Sequence, residues 1–232
     1  GELANTMQFF YENNINELVV DFRYNGGGSL SVSQLLASYI LGNGNTEKAF
    51  TQIQLNQDLS NQNGALPFVD TEYPLNLDRV FFITSQNTAS ASELVINGLE
   101  PFMEVQTIGL QTFGKPVGSV GFNYNSENGF PDFTFNLIII RLANANGNGD
   151  YFDGLPVDKQ VGIDNYTLPW GDLNEERLRQ ALYFIENGTY DNIPVRRNLQ
   201  HFNEISFEEN LIQKKKLNYF KQEEWHKLDF TH

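Results

Sequence analysis

The sequence predicts an α/β domain, and three observations carry that prediction. ELVVDF (17–22), RVFFITS (79–85) and EVQTIGL (104–110) are short apolar runs that read as buried strands. The first two are followed by a turn and then by a stripe of apolar residues at helical spacing, so strand and helix alternate along the first half of the chain. Apolar residues make up 40% and charged residues 19% of the 232 positions, which is enough to fill a packed core.

The elements follow in order. Leu3, Met7, Phe10 and Tyr11 share one helical face at the start. The strand at 17–22 runs into YNGGGSL, where glycines supply a tight turn and Ser29 is placed to cap a helix over 31–41. Residues 42–78 are rich in Asn, Gln and Gly, with one strand expected at AFTQIQL. The strand at 79–85 leads into NTASASELVINGL, a helix that the capping-box pattern Ser90-Ala-Ser-Glu93 would start. After the strand at 104–110 come QTFGKPVG, a β-rich stretch through NLIIIRL (136–142), and the turn-rich NANGNGDYFDG. DLNEERLRQALYFI (172–185) reads as an amphipathic helix capped by Asp172, with Glu175 three residues on. A composition shift then sets off residues 191–232, a helical extension whose Lys214, Lys215 and Lys216 read most simply as a solvated face, with a membrane or partner surface as the alternative.

Composition narrows the function. A net charge of −14 argues against a nucleic-acid surface. There is no cysteine, hence no disulfide, thiol nucleophile or thiolate-bound metal. No apolar run is long enough to span a bilayer. The chain opens inside a helix-like stretch without a methionine, so it is expected to be a fragment of a longer protein.

The supply of bases is short. The histidines are His201, His226 and His232, all in the extension, which leaves a Ser-His-Asp triad in the core without its base. Before the extension the lysines are Lys48, Lys115 and Lys159, and only Lys115 sits among glycines and apolar residues just after a buried strand. A lysine acts as a general base when burial or neighbouring positive charge brings its pKa toward neutrality, as in Ser-Lys dyads. Ser90 suits the nucleophile's place, because free N–H groups at a helix N-terminus favour developing negative charge. Read alone, however, Ser90 is better explained as a cap, and YNGGG is either a simple turn or backbone N–H groups turned toward an oxyanion.

Taken together, the motifs resemble a family. VVDFRYNGGG (19–28) is similar to the D-x-R-x-N-x-G-G signature of the C-terminal processing, or tail-specific, serine proteases. TASASE (88–93) and IGLQTFGK (108–115) resemble their nucleophile and lysine segments, with Ser90 and Lys115 separated by the family's usual 25 positions. DGLPVDKQV (153–161) and LPWGDLNEERLRQAL (168–182) resemble later segments of cell-envelope members from Bacteroides-like bacteria.

The resemblance implies a Clp protease/crotonase-like core over residues 1–190, with additional strands and the 191–232 extension. It implies a serine endopeptidase in which Ser90 attacks, Lys115 takes the proton, and the N–H of Ala91 with that of Gly27 or Gly28 holds the oxyanion. Asn25, Glu93 and Ser119 take supporting roles; Ser119 stands where many members carry a glutamine four residues after the lysine. The implied partner is a protein or peptide substrate engaged near its C-terminus. No metal or organic cofactor is expected, and the setting is the bacterial periplasm or cell envelope. Any membrane contact would run through a missing N-terminal anchor. An upstream PDZ domain, usual in the family, is not in this chain, and the oligomeric state stays open. The alternative is a protease-like module that binds a peptide or apolar ligand without cleaving it.

Overall fold

The computed structural model describes residues 1–124, 133–162 and 167–192. The described residues form helices α1 (Glu2–Glu12), α2 (Leu30–Leu41), α3 (Ala91–Leu99) and α4 (Glu176–Asn187). The strands are β1 (Val19–Asp21), β2 (Ala49–Leu55), β3 (Gly64–Pro67), β4 (Arg79–Thr84), β5 (Glu104–Gly109), β6 (Val117–Tyr124), β7 (Phe133–Ala143) and β8 (Lys159–Gln160). A single 3-10 turn over Gln57–Gln62 joins β2 to β3.

The three apolar runs become β1, β4 and β5, neighbours in a parallel sheet of order β1-β4-β5-β8. The strands expected at 49–55 and 136–142 join β3 and β6 in a second, antiparallel sheet of order β3-β2-β7-β6. β4 is buried from Val80 to Thr84 because both faces of the parallel sheet are covered, the usual condition for parallel strands. Val80 and Phe82 point into the main core with Ala37 and Ile40 of α2 and Leu94, Val95 and Leu99 of α3. Phe81 points the other way, into a smaller core with Ile108, Val161 and Ala181 of α4.

α3 is buried at every position from Ser92 to Leu99. A helix buried all round must be apolar or internally satisfied on every face. Leu94, Val95, Ile96 and Leu99 meet the first condition and Asn97 the second: its side chain donates to Asn148 O (2.8 Å) and accepts from Asn144 Nδ2 (3.0 Å). Gly98 allows the helix to lie against Phe50 of β2; a Cβ there would fall 2.6 Å from the ring and 2.9 Å from the Phe50 carbonyl oxygen.

Two local expectations are corrected. α4 begins at Glu176, and its cap is Glu175, whose carboxylate accepts from Leu178 N–H (3.0 Å). Asp172 instead closes a preceding turn, accepting from Asn174 N–H (2.8 Å). Ser29 sits at the α2 N-cap, but its hydroxyl is paired with that of Ser31 (2.8 Å) rather than with the helix backbone. The extension expected to be helical, with the three histidines and the run Lys214–Lys216, lies outside the described residues apart from Asp191 and Asn192. Among the described residues no helix is long and apolar enough to cross a membrane.

The contact between α3 and β2 yields a direct test. Gly98→Ala must push α3 away from Phe50, and overpacking of this kind costs about 1–3 kcal/mol. Urea denaturation should show a lower midpoint with an unchanged slope; an unchanged midpoint would mean that the two sheets are not held through this helix.

Candidate active site

Three loops converge at the carboxyl end of the parallel sheet. Phe22–Gly28 follows β1, Ser85–Ser90 follows β4, and Leu110–Lys115 follows β5. These are the three segments singled out by sequence, and adjacent parallel strands bring them together where α/β sheets build their sites. Hydrogen bonds stitch them to one another. Thr88 Oγ1 donates to Phe22 O (2.7 Å), Ala89 N–H to Asn25 O (3.1 Å), and Ser85 Oγ to Arg23 O. On the other side, Phe113 N–H donates to Thr88 O (2.9 Å) and Thr84 Oγ1 to Leu110 O (2.8 Å).

Ser90 stands at the N-cap of α3 with φ +56° and ψ −117°. An ordinary N-cap is extended. The other non-glycine residues with positive φ among those described are Asn14 and Asn76, a residue type that tolerates this region. Ser90 therefore carries backbone strain of the sort that collects at functional sites, on a strand-to-helix turn that lifts its side chain out of the sheet. Gly27 is what allows the turn to close. Its φ is +95°, and a Cβ on it would lie 2.7 Å from Ala89 O, 2.7 Å from Ala91 N and 2.8 Å from Ser90 Cβ. The glycine turn after β1 is thus pressed directly onto the serine.

The two serines of the motif separate cleanly. Ser92 is buried, and its hydroxyl donates to Asn25 Oδ1 (2.9 Å) and Asn25 O (3.1 Å), so it fastens the glycine turn to α3. Asn25 Oδ1 also accepts from Gly27 N–H (3.0 Å). That commits one of the two glycine donors named for the oxyanion. The N–H groups of Gly28 and Ala91 donate to no described residue.

Glu93 is fully buried and is the centre of the site's backbone. Its carboxyl accepts from Ser90 N–H (2.8 Å), Lys115 N–H (2.8 Å), Gly114 N–H (2.6 Å) and Thr112 Oγ1 (2.5 Å). Burial pushes its pKa above the ordinary carboxylate range, and the four donors pull part of the way back. One side chain thus holds the serine turn and the lysine segment in a single frame. The nearby Tyr151 hydroxyl is buried with no hydrogen-bond partner, and burial, with Glu93 and Glu100 adding to it, raises its pKa well above the usual phenol value.

The Lys115 side chain is half-buried, and its ammonium makes no ion pair or hydrogen bond with any described residue, Ser90 Oγ included. Ser119 lies exposed on β6, at a register shift between Gly118 and Ser119, and no hydrogen bond joins it to the lysine. The Asp21–Arg23 pair backs the turn: Arg23 Nε lies 3.0 Å from both Asp21 oxygens, and Nη1 is 3.1 Å from Glu175 Oε1. This ties the turn to the cap of α4. Among the described residues no cluster of three or more His, Asp or Glu gathers as a metal site would require.

A cleft of about 110 Å³ opens beside Ser90, between α2 and α3. Gly27, Gly28 and Ala91 line it together with Phe22, Val32, Leu36 and Val95. Sequence reasoning missed these apolar side chains as site residues. The available signal was Val32 and Leu36, one helical turn apart directly after the glycine turn.

The burial of Glu93 makes a signed prediction. A carboxyl with a raised folded-state pKa contributes stability that is complete below its unfolded value and is lost as pH rises through the folded one. Glu93→Gln cannot titrate and sets an amide NH₂ among N–H donors, which should cost about 1–3 kcal/mol at neutral pH. Urea titrations should show the gap between wild type and variant widest in mild acid and narrowing toward pH 8. A gap that widens with pH would mean that the four donors outweigh burial.

The chain is similar to known proteins in sequence and in fold. Residues 1–148 match the family model of peptidase family S41. A solved structure assigned to the S41 proteases, from Bacteroides fragilis NCTC 9343, is 31% identical and superimposes with a TM-score of 0.72 over 81% of this chain and 49% of its own. The photosystem II D1 C-terminal processing protease shares the fold at 20% identity and a TM-score of 0.52, over 70% of this chain and 40% of its own. A protein assigned as a CtpA-like serine protease from Staphylococcus epidermidis is 25% identical over 117 residues, half of this chain and 23% of that protein. The chain therefore spans about a quarter of that curated relative and about half of the Bacteroides structure. The core has the Clp protease/crotonase-like α/β architecture expected from the motifs, and the chain belongs to peptidase family S41.

Proposed function

We propose that the chain carries the catalytic core of a serine endopeptidase working through Ser90 and Lys115. The observation that supports it best is the strained turn at Ser90. It lies against Gly27 and shares the Glu93 carboxyl with the backbone of Lys115. The Ser90 N–H bond to Glu93 is the return half of a capping box, but the positive φ of Ser90 and the bond from Lys115 N–H to the same carboxyl go beyond a plain cap.

In this reading Ser90 Oγ attacks the scissile carbonyl carbon and passes its proton to neutral Lys115 Nζ. The oxyanion is met by the N–H groups of Ala91 and Gly28, both without a partner among the described residues, while Gly27 shapes the turn. Collapse breaks the C–N bond as Lys115 hands the proton to the leaving amine. Water then attacks the acyl-enzyme, gives a proton to Lys115, and restores the Ser90 hydroxyl. The cleft floored by Phe22, Leu36 and Val95 suits a small apolar side chain of the substrate next to the scissile bond. Asn25 and Glu93 support from behind; Ser119, exposed and unpaired, is left outside the dyad.

Cleavage near substrate C-termini, in line with the C-terminal processing relative, and the bacterial envelope location implied by the sequence resemblance complete the reading. Domain limits of 1–190 for the core and 191–232 for the extension belong to the same proposal.

A second reading is favoured by one observation: no hydrogen bond joins Lys115 Nζ to Ser90 Oγ. A silent module that binds peptides without cleaving them would show the same gap. Catalytic hydrogen bonds often tighten only when substrate is bound, so the gap does not decide between the two.

The full-length protein decides it. Ser90→Ala and Lys115→Ala should each lower kcat on a peptide substrate by at least about 10³-fold. A fluorophosphonate should label Ser90 and not Ser92. Undiminished cleavage by either variant sinks the dyad, and absence of labelling in the complete protein supports the silent module.

A further inference from the structure

β6 begins two residues after Lys115 and is the terminal strand of the antiparallel sheet. β2 pairs with β7 only from Ile140 to Ala143. Beyond that point Ser119–Tyr124 and Phe133–Ile138 pair with each other alone and stand out as a two-stranded ribbon. The register sets Val120 opposite Leu137, Phe122 opposite Phe135 and Tyr124 opposite Phe133. Cross-strand partners and alternate residues share a face, so these six side chains form one apolar surface.

That surface is open: Phe122 is 48% exposed, Tyr124 52%, Phe133 43%, Phe135 52% and Leu137 46%. The rings order one another, with Tyr124 stacked on Phe133 at 4.9 Å and Phe133 edge-on to Phe135 at 4.8 Å. The opposite face is mostly polar, and Thr134 Oγ1 donates to Asn123 Oδ1 across it (2.7 Å). The described residues of the ribbon, 119–124 and 133–138, carry no charged side chain in a chain of net charge −14. At the 150–250 Å² an aromatic side chain presents, the exposed area is on the order of 500 Å², a size that marks an interaction site.

We propose that this face is a substrate-guiding surface that takes an extended, apolar segment of the polypeptide being cleaved and leads it toward Ser90. The inference rests on the endopeptidase reading. It favours substrate over other occupants because the strand that presents Val120, Phe122 and Tyr124 begins two residues after Lys115. Alternate side chains along β6 are roughly 7 Å apart, the repeat of an extended peptide, and eight residues span about 26 Å. Among the described residues nothing pairs with the outer edge of β6, so its backbone is available for strand addition. An uncharged aromatic ladder accepts apolar segments without demanding one sequence. The strongly negative chain disfavours an anionic lipid surface as the occupant.

The test uses the full-length Ser90→Ala protein and fluorescein-labelled β-casein, an unstructured polypeptide, with binding read by anisotropy. Phe122→Ser/Phe135→Ser should weaken binding at least tenfold, Tyr124→Ser/Leu137→Ser should do the same, and Asn123→Ser/Asn136→Ser on the opposite face should not. In the active protein the first two pairs should raise KM for casein by a similar factor, while kcat/KM for a four-residue chromogenic peptide, too short to reach the ribbon, stays within twofold. The short peptide also certifies folding. Unchanged casein affinity overturns the proposal, as does an equal loss on the short peptide. With casein affinity unchanged, a dimer-to-monomer shift in sedimentation assigns the face to a second copy. Loss of binding to phosphatidylcholine–phosphatidylglycerol vesicles assigns it to a membrane, and new protease sensitivity within 193–232 assigns it to the chain's own C-terminal segment. Binding is read without turnover, so failure of the ribbon leaves the peptidase reading standing, and cleavage by Ser90→Ala would remove that reading without touching the binding result.

Discussion

The buried carboxyl of Glu93 is the constraint on which the rest of the site depends. It sits one helical turn into α3, and its donors come from both sides: Ser90 N–H from its own helix start, and Thr112, Gly114 and Lys115 from the segment after β5. Placing a carboxyl in the interior is costly, and only a near-complete shell of donors makes it tolerable. That shell is the geometry of the site. Any arrangement that moved the serine turn away from the lysine segment would leave a buried carboxyl and several backbone N–H groups unsatisfied at once.

A second set of contacts fixes the third segment by the same logic. Ser92 and Ala89 donate to Asn25, Thr88 and Ser85 donate to carbonyls of Phe22 and Arg23, and Gly27 fits into the space that any side chain would close. Arg23 then carries the arrangement outward. Its guanidinium is buried between Asp21 and Glu175 and lies 5.0 Å from the Trp170 ring centroid, so the start of α4 is coupled to the glycine turn. An ion pair of this kind adds little net stability, because desolvation offsets most of the attraction. Its contribution is positional: removing either partner strands a charge.

The architecture separates rigidity from access. The parallel sheet and the fully buried α3 hold the strained serine, and strain of this kind persists only where the surroundings over-determine it. The antiparallel sheet meets that core through β2 and β7 and then leaves it, carrying the strand that follows Lys115 out into solvent. Chemistry and the handling of a long flexible chain make opposite demands on stiffness, and in the proposed reading they fall to different sheets.

Much of this was legible in the linear sequence, for reasons that are local. Buried runs such as RVFFITS specify strands with both faces covered, glycines mark turns, and a shortage of histidine outside the extension turns attention to Lys115. The sequence by itself determined the α/β class through residue type and spacing, and through its resemblance to a known family it singled out the three site segments and the two residues proposed for the dyad. It could not foresee that α4 starts at Glu176 or that the hydroxyl of Ser92 goes to Asn25. Those outcomes depend on partners 67 and more positions away: Arg23 draws Glu175 into the cap, and Asn25 claims the Ser92 hydroxyl. Only the tertiary structure decided the role of Glu93, the committed N–H of Gly27, the apolar cleft and the exposed ribbon. Each is a satisfaction or burial condition, and such a condition exists only once distant segments have been brought into contact.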